Sequence, residues 1–145
     1  MCQNSSVLLA FPFRCFFLFV FHSSFLFSQD LDSIKVGSGG GFTNQATVYK
    51  IVQKKVWRAQ GIASLSYTQM AKLRCREHKQ IKKGAQALRN EPTFDHPSNT
   101  YKWVEIFYEG KSSKFQWGDP LYPPSNSVLS YYQFLNQLIP TLTFK

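Results

Sequence analysis

Apolar and polar positions divide the chain into segments of different period. From Val7 to Phe27 nearly every residue is apolar, broken only by a few positions such as Pro12, Arg14 and His22. From Ser33 to Ala59 the pattern is extended: Ile34 and Val36 alternate with polar neighbours, Val48, Tyr49, Ile51 and Val52 crowd together, and Val56 and Trp57 follow. Beta-branched and aromatic residues in this arrangement suit a half-buried pleated surface. The segment predicts three short strands, joined by a glycine-rich connection from Gly37 to Gln45 and a turn at Gln53–Lys55. Between Ser64 and Asn90 the period lengthens, with Met70, Leu73, Glu77, Ile81, Ala85 and Leu88 three or four apart. That spacing predicts one helix, capped by Ser64 or Ser66, with Gly84 as the point where it bends or stops. Tyr101 to Tyr108 predicts a strand with Trp103, Glu105 and Phe107 on one side and Val104, Ile106 and Tyr108 on the other. A turn at Glu109–Lys111 brings Lys114 to Trp117 back as its hairpin partner. Pro120, Pro123 and Pro124 punctuate a loop. A final helix, capped by Ser125 or Ser127, carries the stripe Val128, Tyr131, Tyr132, Leu135, Leu138 and Ile139, and Pro140 closes it. The order βββαββα predicts an α+β domain, an antiparallel sheet of about five strands with two helices packed on one face.

The first apolar segment is not part of that fold. Its densest stretch, Cys15–Phe21, is seven residues long, where a membrane-spanning helix needs about 20. One cation before a short apolar core and a polar Ser28–Gln29 boundary predict a secretory signal peptide over residues 1–28, leaving a single domain over 29–145. The expected location is periplasmic or extracellular, with no stable membrane insertion once the signal is gone. Of 17 Lys+Arg in the chain, Arg14 leaves with the signal, so 16 face 8 Asp+Glu and the remainder carries a formal charge of +8. An exported basic domain meets acidic proteins or anionic envelope surfaces, not nucleic acid. Cys2 and Cys15 also leave, which makes Cys75 a lone thiol with no intramolecular disulfide partner.

Catalytic and cofactor chemistry finds little support in the residues. The run Gly37-Ser38-Gly39-Gly40-Gly41 invites a nucleotide or flavin loop, but a dinucleotide fingerprint from Gly37 needs glycine at 42, which is Phe42, and a helix behind it. A strand is expected there, so no helix N-terminus aims at a pyrophosphate. The glycines instead suit a bulge or wide turn at which bare backbone lets another molecule approach, with Phe42 as an adjacent apolar knob. Ser38, Gly39, Gly40, Gly41 and Phe42 are therefore the expected partner-binding residues. On the long helix, Lys72, Arg76, Lys79 and Lys83 form an expected docking face for anionic surfaces. Cys75 and His78 lie one turn apart, but zinc wants three or four protein ligands and the domain has only His78 and His96 as imidazoles. No metal is expected. Asp95-His96 lacks a nucleophile on a defined turn, and Phe94–Pro97 reads as a tight turn. Trp57, Trp103, Trp117 and the tyrosines are expected to fill the core.

The opening Ile34-Lys35-Val36-Gly37-Ser38-Gly39-Gly40-Gly41-Phe42-Thr43 resembles that of small exported proteins of Bacteroidetes, and Leu26-Phe27-Ser28-Gln29-Asp30 looks like the end of their export signals. An early strand, the Ser38–Phe42 segment, a helix with an alanine-leucine end, a hairpin and a terminal helix after prolines distantly resemble emfourin, a protein inhibitor of thermolysin-like metallopeptidases. The resemblance implies a non-catalytic binding domain without cofactor, whose protein partner is a secreted metallopeptidase. The two other readings are a flavin- or nucleotide-binding oxidoreductase using the glycine segment and an envelope-associated structural protein.

Overall fold

A computed structural model describes residues 31–42, 45–61 and 66–142. The expected leader, residues 1–28, and the expected cap Ser64 lie outside these. The described chain builds a seven-stranded sheet and two helices, an α+β architecture. The strands are β1 (Leu31–Gly40), β2 (Gln45–Val52), β3 (Lys55–Gly61), β4 (Thr68–Lys72), β5 (Phe94–His96), β6 (Thr100–Tyr108) and β7 (Lys111–Trp117). The helices are α1 (Cys75–Ala87) and α2 (Asn126–Thr141). The spatial order is β4-β3-β2-β1-β6-β7-β5, so β1 sits at the centre and pairs antiparallel with both β2 and β6.

Two strands beyond the expected five complete the sheet. Residues 68–72, expected as the start of the long helix, form β4 and pair along β3. Ala71 sits opposite Val56 on the covered face, and the Leu73 N–H bonds to the Lys54 carbonyl at 2.7 Å. The helix begins only at Cys75, where the Glu77 carboxylate accepts from the Arg74 N–H at 2.7 Å, a cap supplied from within the first turn. Phe94–His96, expected as a turn, is β5, which runs parallel to β7 at the sheet edge and makes the sheet mixed.

The core lies between one sheet face and the two helices. Strand alternation aims Ile34 and Val36 of β1, Ile51 of β2, Val56 of β3, Val104 and Ile106 of β6 and Phe115 of β7 into the same buried cluster as Ile81, Ala85, Leu88, Leu135 and Ile139 of the helices. The α2 stripe is as expected, with Val128, Tyr131, Tyr132, Leu135 and Ile139 buried, and the Ser125 hydroxyl accepts from the Val128 N–H at 3.4 Å. Pro140 lies within the last turn rather than beyond the end. Of the three tryptophans only Trp117 is buried, edge-on to Tyr132 at 5.0 Å between ring centroids. Trp57 and Trp103 are half-buried on the opposite sheet face, which neither helix covers.

Gly84 does not bend α1; it makes room for α2. A Cβ there would lie 2.4 Å from Cε2 of Tyr131, whose hydroxyl donates to the Ile81 carbonyl at 3.0 Å. Alanine is the better helix former by about 1 kcal/mol, yet overpacking costs about 1–3 kcal/mol. Gly84→Ala is therefore expected to lower the urea midpoint, where exposed helical glycines would raise it.

Burial also makes this core sensitive to alkali. It pushes the Tyr131 phenol far above its ordinary 10.0, with nearby Tyr108 adding to the effect. Burial likewise raises Tyr108 against the pull of Arg89, and Tyr132 against hydrogen bonds with Asn136 and Ser38. A folded phenol that holds its proton more tightly than the unfolded one contributes its full stability below pH 10 and loses it above. Thermal midpoints should stay flat to about pH 10 and then fall, Tyr131 alone contributing up to about 1.4 kcal/mol per pH unit.

Candidate partner-binding surface

The glycine segment is more strand than loop. Gly37 to Gly40 belong to β1 and pair with Val48 to Gln45 on one side and Trp103 to Thr100 on the other. Of the expected connection from Gly37 to Gln45, Gly37–Gly40 and Gln45 thus lie in strands and Gly41 and Phe42 in a turn, and the main chain of Gly37–Gly40 is engaged inside the sheet rather than naked. What remains bare is the tip. Gly40 (φ 100°) and Gly41 (φ 79°) both take positive φ, the region that favours glycine. A Cβ on Gly40 would lie 2.0 Å from the Asn99 carbonyl oxygen, whereas one on Gly41 would meet nothing within 4 Å. The same Asn99 carbonyl accepts from the Gly41 N–H at 2.7 Å, tying the tip to the entry of β6. Phe42 follows, at 109% relative exposure.

Two further apolar side chains emerge at this end of the sheet. The C-terminal end of β1, the start of β6 and the end of β7 are adjacent, and the loop leaving β7 carries Leu121 and Tyr122, 79% and 51% exposed. Among the described residues these two and Phe42 are the large apolar side chains counted as exposed. Tyr122 is braced by stacking on His96 at 4.5 Å, and its N–H bonds to the Asp119 carbonyl at 3.2 Å, while the Asp119 carboxylate accepts from the Leu121 N–H at 2.9 Å. With strands about 4.8 Å apart, the hairpin and this loop stand roughly 10 Å from each other across β6.

Between them lies a polar cleft of about 480 Å³, lined by Ser38, Gly40, Thr47, Thr100, Lys102 and Gly118 among others. Ser38 and Lys102 lie opposite each other on β1 and β6, on the helix-facing side but beyond the helices. The Lys102 ammonium stands 5.9 Å from the centroid of the Tyr132 ring, and Ser38 is a hydrogen-bond partner of the Tyr132 phenol. Hydroxyls and one ammonium line the cleft, with the exposed apolar side chains on either side of it.

Ser38, Gly39, Gly40, Gly41 and Phe42, expected as partner-binding residues, lie together at one end of the sheet, though Gly39 turns to the opposite face from Ser38. Leu121 and Tyr122, which were not among the expected residues, lie at the same end, and their signal in the sequence is two bulky apolar residues inside a proline-rich loop. The basic face is split. Arg76, Lys79 and Lys83 are exposed on α1, while Lys72 lies on β4. At the start of α1 the Lys54 ammonium donates to the Cys75 Sγ at 3.3 Å. Burial, then Lys82 and Lys54, lower the His78 imidazole below its ordinary value. Among the described residues no three His, Cys, Asp or Glu converge. Strand β2 follows the glycines, so no helix N-terminus stands behind Phe42. Among the described residues no helix is long and apolar enough to cross a membrane. No protein-family model matches the chain, and no curated protein matches its sequence.

Proposed function

We propose that this chain is a non-catalytic protein-binding domain that acts as an inhibitor of a thermolysin-like metallopeptidase, engaging its partner with the β1–β2 hairpin tip. The observation that carries the reading is Phe42, a fully exposed aromatic next to a turn locked by the Gly41–Asn99 bond. Large apolar side chains in such positions are the residues that anchor interfaces. The tip extends from the central strand, bonded on both sides, so it loses little freedom on binding. Leu121 and Tyr122 supply a second apolar contact, and the cleft between offers hydroxyls and Lys102 to polar or acidic groups of the partner. The metallopeptidase as partner comes from the resemblance of the Ser38–Phe42 segment and the element order.

The test is enzymatic. Purified protein at micromolar excess is expected to slow hydrolysis of a fluorogenic peptide by a thermolysin-like peptidase, with full activity restored on dilution if the complex is reversible. Unchanged hydrolysis across several such peptidases rejects the proposal.

A further inference from the structure

The face of the sheet that neither described helix covers holds a second trough, which shares Tyr101 with the hairpin-tip cleft. Strand register places Gly37 and Gly39 of β1 beside Val48 and Ala46 of β2 on this face, and Ala46 and Val48 line the trough's floor. Trp103 and Tyr101 of β6 wall one side. A Cβ on Gly37 would lie 2.5 Å from Cζ2 of Trp103, and one on Gly39 would lie 3.2 Å from the Tyr101 hydroxyl. The two side chains thus lean across β1 over the bare glycines, their ring centroids 5.6 Å apart. Tyr67 walls the other side, with the Lys50 ammonium 5.8 Å from its ring centroid. Lys35, Glu105, Lys114 and Gln116 supply the polar lining, Lys35 and Glu105 paired at 3.3 Å. The trough is open to solvent, with a volume of about 360 Å³, within the range of small-ligand sites.

We propose that this trough binds an acidic oligosaccharide. A sugar ring is amphipathic: its C–H faces pack on aromatic rings, while its hydroxyls, in the ring plane, need both donors and acceptors at the edge. The trough offers that combination, with Tyr67, Tyr101 and Trp103 as apolar surfaces, Lys35 and Lys114 as donors, Glu105 as acceptor and Gln116 as both. With Lys35 and Glu105 paired, Lys114 is the remaining charge of the lining, and Lys50 stands at the rim beside Tyr67; this positive balance favours a sugar that carries its own carboxylate. Two other occupants fit less well. An extended peptide cannot add a strand, because β1 and β2 are each paired on both sides. A second copy would set lysines against lysines. Single-stranded nucleic acid can also stack on the rings, and it is the competing occupant that the titration below discriminates.

Titration of the protein with trigalacturonic acid, followed by tryptophan fluorescence, tests the assignment, with cellotriose and oligothymidylate titrated in parallel. The expected result is a saturable change with trigalacturonic acid and weaker binding of the other two. Tyr67→Ala and Lys114→Gln should each weaken it by about tenfold with unchanged thermal midpoints. Lys114 is exposed and outside the core, so its variant remains informative if Tyr67→Ala fails to fold. Absence of a saturable change, full affinity in the Lys114 variant, or equal or tighter binding of cellotriose or oligothymidylate overturns the proposal. Tyr67 and Lys114 line the trough and not the hairpin-tip cleft, so their variants are expected to leave peptidase inhibition unaltered, which separates the two readings.

Discussion

Gly40→Ala is expected to destabilise the domain by about 2–4 kcal/mol, and Gly41→Ala by only about 1 kcal/mol. Both positions have positive φ, 100° and 79°, so both substitutions carry the strain of an L-residue there. Only Gly40 adds a collision, since its Cβ would sit 2.0 Å from the Asn99 carbonyl oxygen, while Gly41 faces open space. Backbone cannot step aside like the end of a side chain, and Asn99 is held by the bond from Gly41 that the same movement would break. Urea denaturation followed by circular dichroism separates the two. A difference near zero between the variants means the tip is not held against Asn99.

Phe115→Ala is expected to cost about 3–5 kcal/mol, a large share of the roughly 5–15 kcal/mol that holds a small domain together. Phe115 has no solvent exposure and is among the largest fully buried side chains. Its neighbours in the sheet are Val104 of β6 and Phe94 of β5, so removing its ring opens a cavity where the edge strand meets the core. Besides its pairing with β7, this three-residue strand is held by the Asp119 N–H bond to the His96 carbonyl at 3.3 Å and the stacking of His96 on Tyr122. Chemical denaturation should show the loss, and hydrogen exchange at residues 94–96 should rise more than at β1. A cost under 1 kcal/mol would mean that the cavity collapses and that β5 is not anchored through this ring.

Much of this architecture is written locally. Alternation around Ile34 and Val36, the Glu109–Gly110 hairpin signal and the α2 stripe each reflect one face meeting one core, and there the structure agrees with the pattern. The failures are at edges. Met70 and Leu73 are spaced like a helix turn, but residues 68–72 gain more by pairing with β3, a long-range contact that period alone does not encode. Phe94–His96 is too short to alternate, and only β7 makes it a strand.

The glycine run failed for a different reason. Glycine weakens a strand in isolation, so Gly37–Gly40 looked like loop. Here Trp103 and Tyr101, more than sixty residues downstream in sequence, lean over Gly37 and Gly39 and restore the buried surface those glycines lack. Of the candidate site, Phe42 beside glycines was legible because an exposed turn needs no distant partner. Leu121 and Tyr122 join the candidate surface only because β6 and β7 bring their loop to the same end of the sheet.

The most direct measurement is the inhibition constant of Phe42→Ala against a peptidase that the unaltered protein inhibits. Phe42 touches solvent on all sides, so its removal should leave the thermal midpoint within a degree or so while inhibition weakens by roughly 30-fold or more, the scale of an interface anchor. An unaltered inhibition constant in a fully folded variant would show that the hairpin tip is not where this domain meets its partner.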